Sequence, residues 1–267
     1  MNIKDEKVDS EAVKFSPEEL KRYNRQIIYR DWGIEGQQRV KQSTVFIAGA
    51  GGLGSPVLIY LAVAGVGRIR ICDNGMVELS NLNRQVLYND EDLYQLKIIS
   101  AQKNLKKINP HLEIECFSET ISRDSIEVLV GDADIIVDCL DNFETRYVLN
   151  EYAVKKKLPF VHAGIEGLAG QLTFIHSPDT PCLRCIIPEA PPSKIFPVIG
   201  VTSGIIGCLE VNEVLKYLTG IGSNLKGFLL LWNGNDTDFC RIEVAKDPNC
   251  PVCGQMAPAG ISGVGIK

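Results

Sequence analysis

The sequence points to an α/β fold: a mostly parallel sheet with helices on both faces, joined to a C-terminal β-rich extension. Strand-length runs such as "STVFIAGA" and "ADIIVDCLD" are apolar throughout instead of alternating, the pattern of strands covered on both faces. Helix-length segments separate them in a βαβ rhythm. Past Gly170 that rhythm gives way to short strands, a proline-rich loop from Pro188 to Pro197 and one long helix.

Each element has a local reason. Ser16-Pro17-Glu18-Glu19 is a helix start, with Ser16 able to accept an orphan amide and Pro17 presetting the first turn. That helix carries "LKRYNRQI", and a short Gly-containing linker leads to the first strand. There follow "SPVLIYLAVAGVG" as helix, "RIRICD" as strand, "YQLKIISAQKNLKKIN" as an amphipathic helix stopped by Pro110, and "LEIECFSE" as strand. "DSIEVLVGD" reads as helix, "ADIIVDCLD" as strand, "NFETRYVLNEYAVKKK" as helix and "PFVHAGIEG" as strand. In the extension, "GQLTFIH" and "GFLLLWNGN" read as strands. "TSGIIGCLEVNEVLKYLTG" reads as a helix that Gly220 caps.

Bulk properties narrow the function classes. The chain has 267 residues, 45% hydrophobic and 23% charged, with a net charge of -5. That balance speaks against nucleic acid, whose binding needs clustered cations to release counterions. The N-terminus lacks the apolar core of a signal peptide, and no segment is apolar for the length of a bilayer. The expectation is a cytoplasmic protein with no membrane partner. Its nine cysteines include two Cys-x-x-Cys pairs, which in a reducing compartment suggest thiols and metal rather than disulfides.

Gly49-Ala50-Gly51-Gly52-Leu53-Gly54 fits G-x-G-x-x-G between a strand and a helix, and Asp73 ends the next strand. Residues without Cβ let backbone amides and a helix N-terminus approach phosphate oxygens, while an acid at that distance binds ribose hydroxyls. The fold is therefore Rossmann-like. This motif serves NAD and ATP alike. The segment after it decides: Asn81, Arg84 and Gln85 follow closely and Lys97 opens the next helix. Donors converging on the phosphate-binding end of a sheet suit a triphosphate that must shed pyrophosphate. Asp138 and Asp141 lie at the end of an apolar strand, where open sheets place ligands and where a carboxylate can hold Mg²⁺ riding on phosphates.

Cys182-x-x-Cys185 and Cys250-x-x-Cys253 supply four thiolates, a closed tetrahedral shell for a structural Zn²⁺. Cys72 and Cys139 in apolar strands and Cys208 in an apolar helix read as buried small hydrophobes. His111, His162 and His176 show no ligand or triad spacing and read as structural. His162 is the weak exception, because "VHAGIEG" ends near the expected crevice.

Taken together, "RYNRQI", "GAGGLGSP", "LSNLNRQ", "QLK", "CLDN", "CLRC" and "CPVC" resemble the adenylating enzymes of the MoeB/ThiF/HesA type. Those enzymes activate ubiquitin-like sulfur carriers and are cousins of the ubiquitin-activating enzymes. The resemblance runs from Lys21 to Gly254. It implies a flexible leader over 1–16 and a single adenylation domain over 17–254, with a nucleotide-binding half (17–165) and a carrier-binding and zinc half (166–254). A flexible tail follows over 255–267. Gly49, Gly51, Gly52 and Gly54 would line the phosphates of ATP and Asp73 would hold the ribose. Ser80, Asn81, Arg84 and Lys97 would contact the nucleotide, and Asp141 would hold Mg²⁺ with Asn142 beside it. Arg25 would reach the γ-phosphate in the neighbouring subunit, making a homodimer the catalytic unit.

The implied reaction is adenylation of the C-terminal Gly-Gly end of a carrier of the MoaD or ThiS type, with release of pyrophosphate. A sulfurtransferase or cysteine desulfurase would be a further partner. Many relatives carry an acceptor cysteine in the loop after the first zinc pair. Here "IIPEAPPSKIFPVIG" contains none, which favours an enzyme that stops at the acyl-adenylate. Two alternatives are an NAD-dependent oxidoreductase, for which the C-terminal half offers no evident hydride-partner acid or base, and a nucleotide-binding scaffold without activity.

Overall fold

The computed structural model describes residues 14–192 and 196–254. The expected leader lies outside the described residues as far as residue 13, and the expected tail over 255–267 lies outside them altogether.

Helix α1 (Pro17–Ile27) starts where the sequence places it. Ser16 Oγ accepts the Glu19 amide at 3.1 Å while Glu19 Oε2 accepts the Ser16 amide at 2.9 Å, a reciprocal cap. The expected linker after it contains a second helix, α2 (Gly33–Gln42). Its signal is tertiary. Gln37 is fully buried, accepts from Gln26 and the Trp32 indole through Oε1, and donates through Nε2 to the Ala64 carbonyl.

Strands β1 (Thr44–Ala48), β2 (Arg68–Cys72), β3 (Glu113–Phe117), β4 (Ile135–Asp138), β5 (Phe160–Glu166), β6 (Ala169–Ile175), β7 (Phe228–Asn233) and β8 (Asp238–Glu243) form one sheet of eight. Their order is β3-β2-β1-β4-β5-β6-β7-β8, parallel from β3 to β5 and antiparallel from β5 to β8. The order reverses between β1 and β4, so their C-terminal ends open a crevice at the topological switch point. β8 lacks an apolar run, which is why the sequence alone does not announce it: all of its residues are exposed.

Helices cover both faces. On one, Ile47, Ile71, Val137 and Phe174 pack with Leu58 of α3 (Gly54–Ala64), Leu105 of α4 (Lys97–Ile108) and Val214 of α8 (Gly200–Thr219). On the other, Phe46, Ile136 and Phe160 pack with Leu129 of α5 (Ile126–Val130) and Leu149 of α6 (Phe143–Lys156). The short α7 (Leu183–Ile186) carries the first cysteine pair onto α6, where Asn150 Oδ1 accepts the Leu183 amide at 2.8 Å. Gly220 caps α8 at φ 75°, as the sequence suggests.

Two expectations need correction. α4 begins at Lys97, not Tyr94, because Tyr94 sits at φ 64°. The segment after it instead pairs with Met76–Val77: Val77 donates to the Gln95 carbonyl, Lys97 donates to the Gly75 carbonyl, and Met76 bridges Leu96. Cys208 is exposed, not buried. The line through Val201, Cys208 and Asn212 on α8 faces outward.

Candidate active site

The crevice is floored by the turn between β1 and α3, and its four glycines divide into two kinds. Gly49 has φ 97°, and a Cβ there would stand 2.7 Å from the Cys139 carbonyl. At Gly54 an added Cβ would lie 2.2 Å from the Gly49 carbonyl. These two are required by the packing of the turn itself. Gly51 and Gly52 are not: the nearest atoms to an added Cβ are 3.7 and 3.6 Å away, an ordinary contact distance. Their bareness keeps the crevice floor open, and α3 begins without any side-chain cap. An uncapped helix start behind bare backbone is a seat for an anion.

The turn is braced from two sides. Asp73 Oδ2 accepts the Ala50 amide at 2.8 Å and its Oδ1 accepts the Gly75 amide at 2.7 Å. A carboxylate has further lone pairs, so Asp73 can still accept a ribose hydroxyl. The buried Tyr88 hydroxyl donates to the Ala50 carbonyl at 2.8 Å. Tyr88 escapes sequence reasoning because nothing local distinguishes it from a core aromatic.

Basic groups meet this floor. The Arg84 stem passes 3.7 Å from the point where a Gly52 Cβ would stand, and Gln85 Nε2 lies at the same distance from that point at Gly51. Arg84 Nη1 donates to the Ser80 carbonyl at 2.8 Å and to Asn83 Oδ1 at 3.0 Å, which fixes the loop over the glycines. Gln85 is buried, and its Oε1 has no partner among the described residues. Asn81 Oδ1 accepts the Glu78 amide and Ser80 Oγ donates to Glu78 Oε2, so both shape the turn that delivers Arg84. Lys97 arrives from α4: an added Cβ at Gly75 would lie 3.2 Å from Lys97 Nζ and 3.0 Å from Asp73 Oδ1. Asp92, fully buried, accepts from Asn104 at 2.9 Å and keeps the segment between Arg84 and Lys97 folded.

The far wall is the β4–α6 connection. Leu140 Cδ2 lies 3.5 Å from the point where a Gly49 Cβ would stand, and the exposed Asp141 follows it in the chain. Asn142 caps α6, accepting the Thr145 amide at 2.9 Å. Arg25, in the last turn of α1, is exposed.

Beneath that wall lies a buried polar cluster. His162 Nδ1 is 2.7 Å from Asp138 Oδ2, and Arg146 Nε is 3.3 Å from the same oxygen. Glu210 of α8 is fully buried with neither carboxyl oxygen bonded among the described residues. Burial pushes its carboxyl well above the usual range, Asp138 adds to the rise and Arg146 opposes it. Its spacing, four residues from Ile206 and four from Val214, puts it on the core face of α8 and was the one available sequence signal. Glu210 is therefore held as a neutral acid, and protein stability falls as pH rises above its ordinary value of 4.5, because only the unfolded chain ionises freely. Glu210→Gln should raise the melting temperature by several degrees near neutrality, at about 2–4 °C per kcal/mol. The gain should shrink to nothing below about pH 4, where both side chains are neutral in either state. Melting curves across that pH range check it.

The four cysteines also converge. Cys182 and Cys250 sulfurs stand 3.6 Å apart and Cys185 and Cys253 sulfurs 3.4 Å apart, with all four within 4.8 Å of one another. A tetrahedral zinc with bonds of about 2.3 Å needs sulfur separations of about 3.8 Å, so the cluster fits the ion. Burial pushes the Cys182 thiol up to about 11, which disfavours a bare thiolate and leaves a dication as the group that would ionise it. The Asp247 amide donates to Cys185 Sγ at 3.5 Å.

An open α/β sheet with a bare glycine turn at its switch point has the architecture of the nucleotide-binding α/β class. The chain belongs to the ThiF family, whose model matches residues 23–252. It is 41% identical over 253 residues to a sulfur carrier protein adenylyltransferase of Thermus thermophilus, covering 91% of this chain and 93% of that protein. It is 39% identical over 244 residues to the vegetative HesA protein of Trichormus variabilis, with 91% and 92% covered. The adenylyltransferase and sulfurtransferase MOCS3 of Sus scrofa is 38% identical over 247 residues, which span 90% of this chain and 54% of that one. Among solved structures, E. coli MccB superimposes with a TM-score of 0.81 at 22% identity, covering 88% of this chain and 74% of that one. PaaA gives 0.72 at 26% identity, with 86% and 84% covered.

Proposed function

We propose that this protein adenylates the C-terminal glycine of a small ubiquitin-like sulfur carrier, using ATP and Mg²⁺. The observation that carries the reading is the bare Gly51–Gly52 floor at the switch point, with the Arg84 stem against Gly52 and Lys97 Nζ near Gly75 beside Asp73, the acid that braces the same turn. A carrier carboxylate oxygen forms a bond to the α-phosphorus as the bond to the bridging oxygen of pyrophosphate breaks, and pyrophosphate leaves with that electron pair. The attacking group is already ionised, so no general base is needed. Catalysis comes from positioning and from neutralising charge on the departing phosphates. Arg84 and Lys97 supply that charge. Asp141, with Asn142 next to it in the β4–α6 connection, would hold Mg²⁺, which would add further neutralisation when bound.

Two surfaces support the partners. Leu229, Leu231, Cys240 and Ile242 share one face of β7 and β8 with Gln171 and Thr173 of β6. Leu229 and Leu231 belong to neither core cluster, and Ile242 is exposed, so this face suits the apolar body of a carrier. Ile28 and Tyr29, exposed beside Arg25, suit a homodimer that brings Arg25 to the partner's nucleotide. The loop after the first cysteine pair offers no acceptor cysteine, so the product is released as an acyl-adenylate for a sulfur donor elsewhere. Four thiolates within bonding range of one ion suit a structural zinc. A cytoplasmic location agrees with thiol-based metal binding, and no described helix is long and apolar enough to cross a membrane.

Labelled pyrophosphate should exchange into ATP only when Mg²⁺ and a carrier ending in Gly-Gly are both present, and mass spectrometry should find the carrier heavier by one adenylyl group. Exchange with no carrier requirement, or reduction of a nicotinamide in its place, would overturn the assignment.

A further inference from the structure

The adenylation chemistry leaves His162 unused, yet its surroundings are specific. It sits on β5 paired with Asp138 at the end of β4, and both are fully buried. Asp138 accepts from His162 Nδ1 through Oδ2 and from the Leu140 amide through Oδ1, at 2.7 and 3.1 Å. Arg146, reaching back from α6, donates to the Leu140 carbonyl at 2.5 Å and to the Ala163 carbonyl at 2.9 Å, with its guanidinium over the Phe143 ring. Both peptide groups of Leu140 are thus gripped from below, one by Asp138 and one by Arg146. Leu140 immediately precedes Asp141.

On its other side, His162 Nε2 faces Gln171 Nε2 at 3.5 Å. The Asp138 carboxylate can only accept, so the ring hydrogen belongs on Nδ1, directed at Asp138, and Nε2 is the nitrogen left to accept from the Gln171 amide nitrogen. Burial lowers the imidazole's proton affinity while Asp138 opposes that. A neutral ring with one donor and one acceptor satisfies both neighbours. Charge also balances in this form. Asp138 pairs with Arg146, while His162 and the neutral Glu210 add nothing.

We propose that His162 is a positioning residue. Through its Nδ1–H it orients the Asp138 carboxylate, which with Arg146 sets the height of the β4–α6 loop and so the placement of Asp141 for the metal–nucleotide complex. The inference rests on the adenylation reading above. Outer-shell partners of metal-binding carboxylates change metal affinity by about 10–100-fold when removed, and His162 acts one bond further back.

Three variants separate positioning from mere packing. In His162→Asn the amide can donate from the place of Nδ1, whereas in His162→Gln it reaches only the place of Nε2. His162→Leu has no donor at all. Pyrophosphate exchange is measured as a function of Mg²⁺ at saturating ATP, with melting temperature recorded alongside. The Gln and Leu variants should need about tenfold more Mg²⁺ for half-maximal exchange, with maximal exchange at high Mg²⁺ largely restored, and the Asn variant should stay close to wild type. Should the Leu variant not fold, the Asn and Gln pair carries the comparison. Wild-type Mg²⁺ dependence in the Gln variant, or equal shifts in the Asn and Gln variants, would overturn the inference while leaving the function standing. A wild-type protein that exchanges no pyrophosphate with any carrier would overturn the function itself.

Discussion

Arg84→Ala lowers carrier-dependent pyrophosphate exchange by about 10²–10³-fold, the cost of removing one preorganised donor aimed at developing charge. The loss falls mainly on the rate at saturating ATP, because the guanidinium is needed most when pyrophosphate departs with its extra negative charge. Lys97→Ala should show the same pattern from the other side of the crevice. Arg84→Lys restores little. Arg84 spends Nη1 on the Ser80 carbonyl and Asn83 Oδ1 and still has N–H donors on Nε and Nη2 for a phosphate, whereas in a lysine one ammonium nitrogen would have to serve both. Neither Arg84 nor Lys97 is fully buried, so melting temperatures should hardly change. Steady-state exchange kinetics together with melts check the prediction, and a large stability loss in Arg84→Ala would assign the residue to folding instead.

With the proposed zinc held by the four cysteines, Cys250→Ser, or exhaustive chelation under reducing conditions, should remove it and with it a contribution on the order of 10 kcal/mol. That is comparable with the whole net stability of a domain, so the effect on melting is larger than for any single core truncation. The consequence is regional. Cys250 and Cys253 attach the segment after β8 to α7, and α7 is seated on α6 through Asn150 and the core around Tyr147 and Leu149. Losing the metal frees the segment after β8 and loosens the wall of the crevice that α6 supports, so exchange should fall together with stability. Metal analysis should find one zinc per chain in the native protein and almost none in the variant. Full stability and activity in metal-free protein would show the four sulfurs to be no more than buried thiols.

The candidate site was legible to different depths. Gly49 and Gly54 could be read as turn residues and Gly51 and Gly52 as a ligand cradle only as one motif; the space around each separates them. Arg84 and Lys97 were legible because they follow the glycine motif in a fixed order, and α4 begins at Lys97 even though its expected start was three residues earlier. The shift came from Tyr94 at φ 64°, a backbone state that pattern alone does not signal. Asp138 read, with Asp141, as a carboxylate at a strand end where ligands are placed. Its hydrogen bonds with His162 and the Leu140 amide and its ion pair with Arg146 make it an internal anchor.

The amino-acid order by itself determined the alternation of strands and helices, the glycine turn, the order of the charged residues after it and the spacing of the cysteine pairs. All of these are written in short periods and neighbouring residues, and local backbone preferences respond to them directly. Only the tertiary structure decided that a glutamine would draw α2 out of a linker, that Cys208 would face outward, and that β8 would extend the sheet. It also brought Glu210, His162, Asp138 and Arg146, from α8, β5, β4 and α6, into one buried cluster beneath the crevice. The state of a buried acid or imidazole depends on which groups pack across from it, and those groups lie far away in the chain, where no local pattern reaches.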